Sequence, residues 1–330
     1  MILITVTLAD MKSSRYIWSL FVVGSVVGLT ALSATACSDT EATTASKSVT
    51  IAASFYPIEE IVSNLSVESV NIVGLTPPGA GAHDLELTSE QLADLEDSDV
   101  LFYLGDGFQP GIEKVMTSLP KSVQVVDLLE RITVRDIVPQ LEGLEGETDG
   151  ESLESGKDPH VWLDPANMII MANHVHDVLQ DIQGIDKKSL DSSLNTYVAD
   201  LTKLGSEFDD GLKQCESNVI VTSHRAFEYL AARTNLQQVA IAGVNPDSEP
   251  STKSMQEIAK FALANQVSTI FFETLLPEDL ARTIANEIGA KTDLLDPIEG
   301  FSQDDLDAGM NYIVAQRANL ERLRAGLNCQ

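Results

Sequence analysis

One long amphipathic pattern divides this sequence into two halves. Its apolar side chains recur at steps of three and four residues: Leu190, Leu194, Tyr197, Leu201, Leu204, Phe208 and Leu212. These steps predict an α-helix of about 25 residues, on the order of 35–40 Å long. Because the helix stands between two similar halves, we expect it to bridge two lobes. The alternative is an ordinary surface helix.

Short apolar runs alternate with helical patterns on both sides of this helix. The strand-like runs cover residues 49–55, 67–75, 100–104, 123–126, 218–222, 238–241, 269–273 and 292–295. Such alternation predicts an α/β fold in which the strands of each sheet are mainly parallel. We assign residues 49–185 to an N-terminal α/β lobe, 186–214 to the linker helix and 215–330 to a C-terminal α/β lobe.

The head of the chain has the pattern of an export signal. Lys12 and Arg15 precede an apolar run over residues 16–32, and small residues lead from there to Cys37. This order is typical of a secretory signal peptide, which we place at residues 1–36. Small residues directly before a cysteine resemble a bacterial lipobox, so we expect Cys37 to be lipidated and residues 37–48 to form a flexible tether. A transmembrane anchor is the alternative, although the apolar run is short.

Two cysteines follow Cys37, and they form an even pair. In an exported protein such a pair indicates a disulfide, here between Cys215 and Cys329. The alternative is two unpaired thiols.

The charge balance restricts the partners of the chain. The chain contains 50 acidic and 21 basic residues, which gives a net charge of −29. Because nucleic acid is bound by basic surface, we expect no nucleic-acid partner. The acidic excess is strongest inside residues 139–157, where glutamates, an aspartate and glycines replace apolar side chains. We expect this stretch to be a mobile, solvated insertion, with weak collection of cations as the alternative.

Three of the five histidines stand in loops or at the ends of predicted strands: His83, His160 and His224. The other two, His174 and His176, lie two apart in a helical pattern and therefore point to different faces. We expect them to be surface or packing residues.

Carboxylates also follow the predicted strands. Glu273 ends one strand, and Asp296 and Glu299 follow the last one. In open α/β sheets, ligands bind beyond the carboxyl ends of strands. Three imidazoles with one carboxylate are a ligand set that zinc favours at four-coordinate sites. We expect Asp158, Asp164 and Glu228 to support these ligands with hydrogen bonds.

Five short motifs carry a family resemblance, in this order: SFYP at 54–57, PGAGAH at 78–83, DPHVWLDP at 158–165, SHRAFEYL at 223–230 and LDPIEG at 295–300. Over residues 49–325 the chain resembles the zinc- and manganese-binding solute-binding lipoproteins of bacterial ABC importers. The resemblance implies two α/β lobes joined by a long rigid helix, with the metal in the interlobe cleft. It also implies His83, His160 and His224 as metal ligands, completed by either Asp296 or Glu299.

By this resemblance the chain captures Zn²⁺ outside the cell and delivers it to an ABC transporter permease. We therefore expect a monomer that is not an enzyme, lipid-anchored to the outer face of the bacterial cell membrane. The chain departs from the family pattern in two places. His83 is followed by Asp-Leu-Glu-Leu, and the loop before His160 is acidic where many zinc-binding members carry histidines.

Other interpretations remain open at this point. Manganese is the alternative metal, although manganese members tend to replace one histidine with a carboxylate and His224 is retained here. A zinc hydrolase would use three histidines and an open fourth position. An adhesin is a further class, for which the sequence contains no adhesion motif.

Overall fold

Parallel strands form one four-stranded sheet in each half of the chain. The computed structural model describes residues 48–65, 70–83, 85–141, 155–246, 250–275 and 277–330. The first sheet consists of β1 (Val49–Ala53), β2 (Val70–Gly74), β3 (Val100–Tyr103) and β4 (Gln124–Asp127). Its strand order is β2-β1-β3-β4, and all neighbouring pairs are parallel. The lobe begins with β1 at Val49, which is also where the predicted alternation of strands and helices begins.

A small antiparallel pair separates the two large sheets. It consists of β5 (Arg135–Asp136) and β6 (Lys157–Asp158). The second large sheet consists of β7 (Val219–Thr222), β8 (Gln237–Ala240), β9 (Thr269–Phe272) and β10 (Lys291–Leu294). Its order is β10-β9-β7-β8, again with parallel neighbours.

Helices connect the strands and cover the sheets. They are α1 (Tyr56–Leu65), α2 (Ser89–Glu96), α3 (Pro110–Met116), α4 (Pro165–Leu179), α5 (Lys187–Gly211), α6 (Glu228–Thr234), α7 (Thr252–Ala264), α8 (Asp279–Ile288), α9 (Gln303–Asp307) and α10 (Tyr312–Gly326). None of the helices in these ranges combines the length and the apolar character that a membrane span requires. The two parallel sheets and their helices confirm the predicted fold class.

Helix α5 has the predicted 25 residues and packs against both lobes. Asp186 caps it by accepting a hydrogen bond from the backbone N–H of Lys188 at 3.2 Å. The apolar face of α5 contacts α1 and α4 on one side and α6 and α10 on the other. A rigid helix with partners in both lobes fixes the distance between the two sheets.

One apolar core runs through both lobes. It joins Phe55 of the first lobe, Phe208 of α5 and Phe227 and Tyr312 of the second lobe, all of them fully buried or nearly so. Smaller clusters lie on the outer side of each sheet. The interlobe region is therefore filled with packed side chains around the helix.

The two late cysteines are bonded to each other, which confirms the predicted disulfide. Cys215 follows α5 and Cys329 follows α10, and the two are 114 residues apart. They also form an isolated antiparallel bridge between their backbones. The disulfide therefore fastens the last helix to the start of the second lobe.

Residues at both edges of the predicted acidic insertion, 139–157, make defined contacts. Lys157 belongs to β6, and its ammonium lies 2.6 Å from the carboxylate of Asp136. The side-chain carbonyl of Gln140 accepts a hydrogen bond from the backbone N–H of Ala240, on the edge strand of the second sheet. Leu141 packs against the core of that lobe. Residues 142–154, like residues 1–47 with the signal peptide and Cys37, lie outside the described residues.

Candidate metal centre

His83 comes from the loop after β2, which the sequence punctuates with two prolines and two glycines. Gly79 adopts a left-handed φ of 79°, a conformation that glycine enters without a Cβ penalty. Its backbone N–H donates to the carbonyl of Phe301 in the second lobe at 2.9 Å. The His83 ring stands edge-on to Phe108, with centroids 4.8 Å apart. The loop thus carries His83 into the space between the lobes.

His160 is held by the residue two positions before it. Asp158 Oδ1 accepts the backbone N–H of His160 at 3.0 Å and lies 2.8 Å from its ring Nδ1. The hydroxyl of Tyr229 donates to the carbonyl of Asp158 at 2.8 Å. The ring of Trp162 packs beside the imidazole at a centroid distance of 5.1 Å. These contacts direct Nε2 of His160 toward the cleft.

His224 directly follows β7, and its support comes from the neighbouring strand β9. Glu273 Oε1 accepts the backbone N–H of His224 at 2.9 Å, and Oε2 lies 2.6 Å from ring Nδ1. Because β7 and β9 pair in parallel, their carboxyl ends meet at one edge of the sheet. The second lobe therefore repeats the arrangement of the first, in which a carboxylate orients the imidazole from behind.

Glu299 brings the three imidazoles together. Its Oε1 lies 3.3 Å from Nε2 of His83, 3.7 Å from Nε2 of His160 and 3.4 Å from Nε2 of His224. One donor atom from each of the four residues lies within 4.8 Å of all the others. All four side chains are buried. The predicted residues His83, His160, His224 and Glu299 thus form one group in the cleft.

Asp296, the other predicted fourth ligand, lies outside this group. Its Oδ1 accepts the backbone N–H of Ile298 at 2.8 Å, which stabilises the turn before Glu299. Ile298 has a φ of 56°, an uncommon left-handed value for a β-branched residue. Trp162 holds the same turn through its indole N–H, which donates to the carbonyl of Pro297 at 2.8 Å. This strained turn directs the side chain of Glu299 toward the histidines.

Two of the three predicted supporting carboxylates act elsewhere. Asp164 caps α4 by accepting the backbone N–H of Ala166 at 2.9 Å, and Glu228 pairs with Arg225. Asp158 supports His160 as predicted. Glu273, considered from the sequence only as a possible ligand, supports His224 instead. The pairing of β7 with β9 is the signal that would have indicated this role.

Burial and the carboxylates act in opposite directions on the pKa values of the group. Burial lowers the pKa of His83 despite the nearby Glu299. At His224 the effect of burial is outweighed by Glu273 and Glu299, which raise the pKa to about 10. Burial is likewise outweighed at His160, whose pKa is raised by hydrogen bonds to Asp158 and Glu299.

The carboxylates near the group differ in their pKa. Burial would raise the pKa of Glu299, but the three imidazoles hold it well below its usual range. Asp296 lacks such partners, and burial raises its pKa to about 6. Glu299 is therefore the carboxylate that the imidazoles keep ionised.

His174 and His176 are apart from this group. Both lie on α4 and are buried, which fits a packing role. Nε2 of His176 lies 2.8 Å from a carboxylate oxygen of Asp191 and so links α4 to α5. Neither histidine belongs to the donor group of the cleft.

The donor atoms suit a small divalent cation. Three imidazole nitrogens and one carboxylate oxygen can occupy four positions around Zn²⁺. The carboxylates behind His160 and His224 are the partners that metal-binding imidazoles usually have. The fold and the site together define a class: two-lobed α/β proteins with a buried three-histidine, one-glutamate metal centre between the lobes.

Comparison with known proteins places the chain within that class. Residues 51–326 match the family described as zinc-uptake complex component A, periplasmic, and the chain belongs to this family. The chain is 31% identical over 301 residues to the zinc-binding lipoprotein AdcA of Streptococcus pneumoniae strain R6, covering 91% of this chain and 59% of that protein. It is 29% identical over 319 residues to the high-affinity zinc uptake system protein ZnuA of Bacillus subtilis strain 168, covering 94% and 98%.

A solved structure shows the same fold. The Zn(II)-bound ZnuA-like domain of Streptococcus pneumoniae AdcA superposes with a TM-score of 0.70 at 30% identity, covering 85% of this chain and 99% of that domain. The chain thus matches one domain of AdcA and spans little more than half the length of that relative.

Proposed function

We propose that this chain is an extracytoplasmic binding protein that captures Zn²⁺ and delivers it to an ABC transporter permease. The observation that carries the proposal is the convergence of three Nε2 atoms and Glu299 Oε1 within 4.8 Å in a buried cleft. The zinc-binding names of its relatives support the choice of metal. Manganese is the alternative, but three imidazoles favour zinc over a harder ion.

The ligands in this proposal are His83, His160, His224 and Glu299. Their neutral imidazoles and one carboxylate leave a net charge near +1 on the zinc complex, which the carboxylates of Asp158 and Glu273 offset from behind. Asp296 shapes the turn and is not a ligand of the bound ion.

The same geometry supports binding rather than hydrolysis. A catalytic zinc keeps an open position for the water that it activates. Here Glu299 lies against all three imidazoles and can close the fourth position. We therefore propose that the chain is not an enzyme.

The remaining elements of the proposal concern location and partners. Residues 49–185, 186–214 and 215–330 form the N-terminal lobe, the linker helix and the C-terminal lobe of a monomer. Lipidated Cys37 anchors the protein to the outer face of the cell membrane, next to its permease. Metabolic labelling with a fatty acid tests the anchor, and label that persists in Cys37→Ala contradicts it.

Metal titration of single variants tests the site. Loss of a residue that only supports a ligand typically costs about 10–100-fold in metal affinity, so loss of one of the four ligands should weaken zinc binding by about 100-fold or more. We therefore expect this loss in His160→Ala and Glu299→Ala, measured by competition against a chelator at fixed pH. His174→Ala is the matched control, since it removes a buried histidine outside the group.

The proposal fails if His160→Ala binds zinc as tightly as the parent, or if His174→Ala is the damaging change. A parallel titration with Mn²⁺ separates the two metals. Tighter binding of Mn²⁺ than of Zn²⁺ would reject zinc as the substrate.

A further inference from the structure

The buried donor group raises the question of how an ion reaches it. The imidazoles of His160 and His224 are completely shielded from solvent, and His83 and Glu299 are only 5% and 4% exposed. The core that joins the lobes continues beside the group through Trp162 and Phe55. An ion must therefore pass through a gap between the loops that carry the ligands.

One cavity connects Glu299 to the surface, and we call it the acidic cavity. It has a volume of about 140 Å³ and is lined by Gly79, Gly81, Pro246, Glu273, Thr274, Leu275, Asp296, Pro297 and Glu299. Thr274 and Leu275 are exposed at its rim, whereas Asp296 and Glu299 are buried at its inner end. The cavity is thus a path from solvent to the fourth ligand.

The wall of the acidic cavity is open on the side of the first lobe. A Cβ atom at Gly79 or Gly81 would meet no atom within 4 Å. The hydrogen bond from Gly79 to the carbonyl of Phe301 holds this loop against the second lobe. The glycine loop therefore leaves space beside this wall of the cavity while it stays fastened to the second lobe.

A second cavity also borders Glu299. This aromatic cavity has about 150 Å³ and is lined by Tyr56, Glu59, Gly74, Thr76, Pro77, Pro78, Glu299, Gly300, Phe301 and Leu306. The rings of Tyr56 and Phe301 meet edge-to-face at 4.6 Å and narrow it. Besides Glu299 it contains one carboxylate, that of Glu59. The acidic cavity contains two, those of Glu273 and Asp296.

The two carboxylates of the acidic cavity besides Glu299 differ in their hydrogen bonds. Both oxygens of Glu273 are engaged by His224. Asp296 uses Oδ1 for the backbone N–H of Ile298, and its other oxygen has no hydrogen bond within the described residues. Negative groups in a narrow, low-dielectric path concentrate cations and raise their association rate. Asp296 is therefore placed to receive an ion on its way to Glu299.

We propose that a divalent cation enters and leaves the metal centre through the acidic cavity, with Asp296 as its transient carboxylate ligand. This inference rests on the proposed function, because it requires a metal at the donor group. It assigns to Asp296 a role in the rate of exchange, distinct from the role of the four ligands in holding the ion.

Substitutions at the exposed rim test the path without touching the ligands. We expect Thr274→Lys to slow Zn²⁺ association and Thr274→Glu to leave it equal or faster, with rates that differ on the order of tenfold at low salt. This difference should shrink as salt is added, because the charge at the rim is exposed to screening. Stopped-flow mixing of the metal-free protein with Zn²⁺ measures these rates.

A second pair of variants compares the two cavities. Asp296→Asn retains an acceptor for the N–H of Ile298 but removes the charge, and we expect slower association with zinc still bound at equilibrium. Glu59→Gln makes the same change in the aromatic cavity and should leave the rate unchanged. Slower association in Glu59→Gln together with parental rates in Asp296→Asn would overturn the proposal.

Two further outcomes would also overturn the proposed path. In the first outcome, Thr274→Lys, Thr274→Glu and Asp296→Asn all bind zinc at the same association rate as the parent. The other is a loss of equilibrium affinity in Asp296→Asn as large as in His160→Ala, because Asp296 would then be a ligand of the resting ion. Failure of the parent protein to bind zinc at equilibrium would instead reject the proposed function, so the two failures are distinguishable.

Discussion

Zinc binding should release about one proton from the metal centre at neutral pH. Nδ1 of His160 and Nδ1 of His224 face the carboxylates of Asp158 and Glu273, which accept a hydrogen bond from an Nδ1–H. Neutral rings of this tautomer would present bare lone pairs at Nε2. The two Nε2 atoms are 3.2 Å apart, a hydrogen-bond distance at which one shared proton would satisfy both nitrogens. Zinc can bind these nitrogens only after displacing that proton.

The pKa values set the pH range of this effect. The pKa of His224 is raised to about 10, so in the metal-free protein this ring retains its proton up to that pH. Zinc affinity should therefore increase about tenfold per pH unit between pH 7 and 8, because one proton is released per ion bound. The pKa of His160 is also raised, so its proton competes with zinc in the same direction and adds to the loss of affinity as the pH falls.

Calorimetry in two buffers of different ionisation enthalpy measures the released protons directly. We expect about one proton per zinc at pH 8 for the parent protein. Glu273→Gln is the informative variant, because it removes one of the two carboxylates that raise the pKa of His224, and its proton release at pH 8 should be smaller than that of the parent. Glu228→Gln, which removes a carboxylate bonded to Arg225 outside the donor group, should behave as the parent. Zinc binding without proton release by the parent at pH 7 would refute the reasoning.

Three further predictions follow from contacts away from the ligands. Replacing Cys215 and Cys329 with alanine should lower the free energy of unfolding by ~2–4 kcal/mol in denaturant titrations, because the bond closes a long loop, and an unchanged midpoint would contradict this. Trp162→Phe leaves the carbonyl of Pro297 without its indole donor, which should lower the free energy of unfolding by about 1–3 kcal/mol and accelerate zinc dissociation. A variant with the stability and dissociation rate of the parent would show that the hydrogen bond is dispensable. Deleting residues 142–154 should leave zinc affinity unchanged in a chelator competition, since the donor group and its supports lie elsewhere, and a tenfold loss would show that the segment contributes to binding.

Local patterns were sufficient to predict much of this fold. The heptad-like spacing from Leu190 to Leu212 predicted α5, because burial of one helical face imposes that period. The pair Asp164-Pro165 is typical of a helix start, and in the structure Asp164 is the cap of α4 and Pro165 its first residue. Helix α9 and the pair of β5 with β6 were not predicted, because each is too short to produce a periodic signal.

The sequence restricts the candidate ligands to a small number of residues. Histidines at strand ends are few, so His83, His160 and His224 could be chosen before any geometry was known. The choice between Asp296 and Glu299 depends on the backbone of Ile298, whose left-handed φ no sequence pattern specifies. The support of His224 by Glu273 depends on which strands are neighbours, a property of the whole sheet rather than of any segment.

The apolar core shared by the two lobes makes them one thermodynamic unit. Unfolding of either lobe alone would expose its half of the packed contacts around α5 while leaving the other half without partners. Such an intermediate would lose burial on both sides of the helix and is therefore disfavoured relative to complete unfolding. The described fold should melt in a single cooperative transition, and zinc that bridges ligands from both lobes should move that transition as a whole to higher temperature.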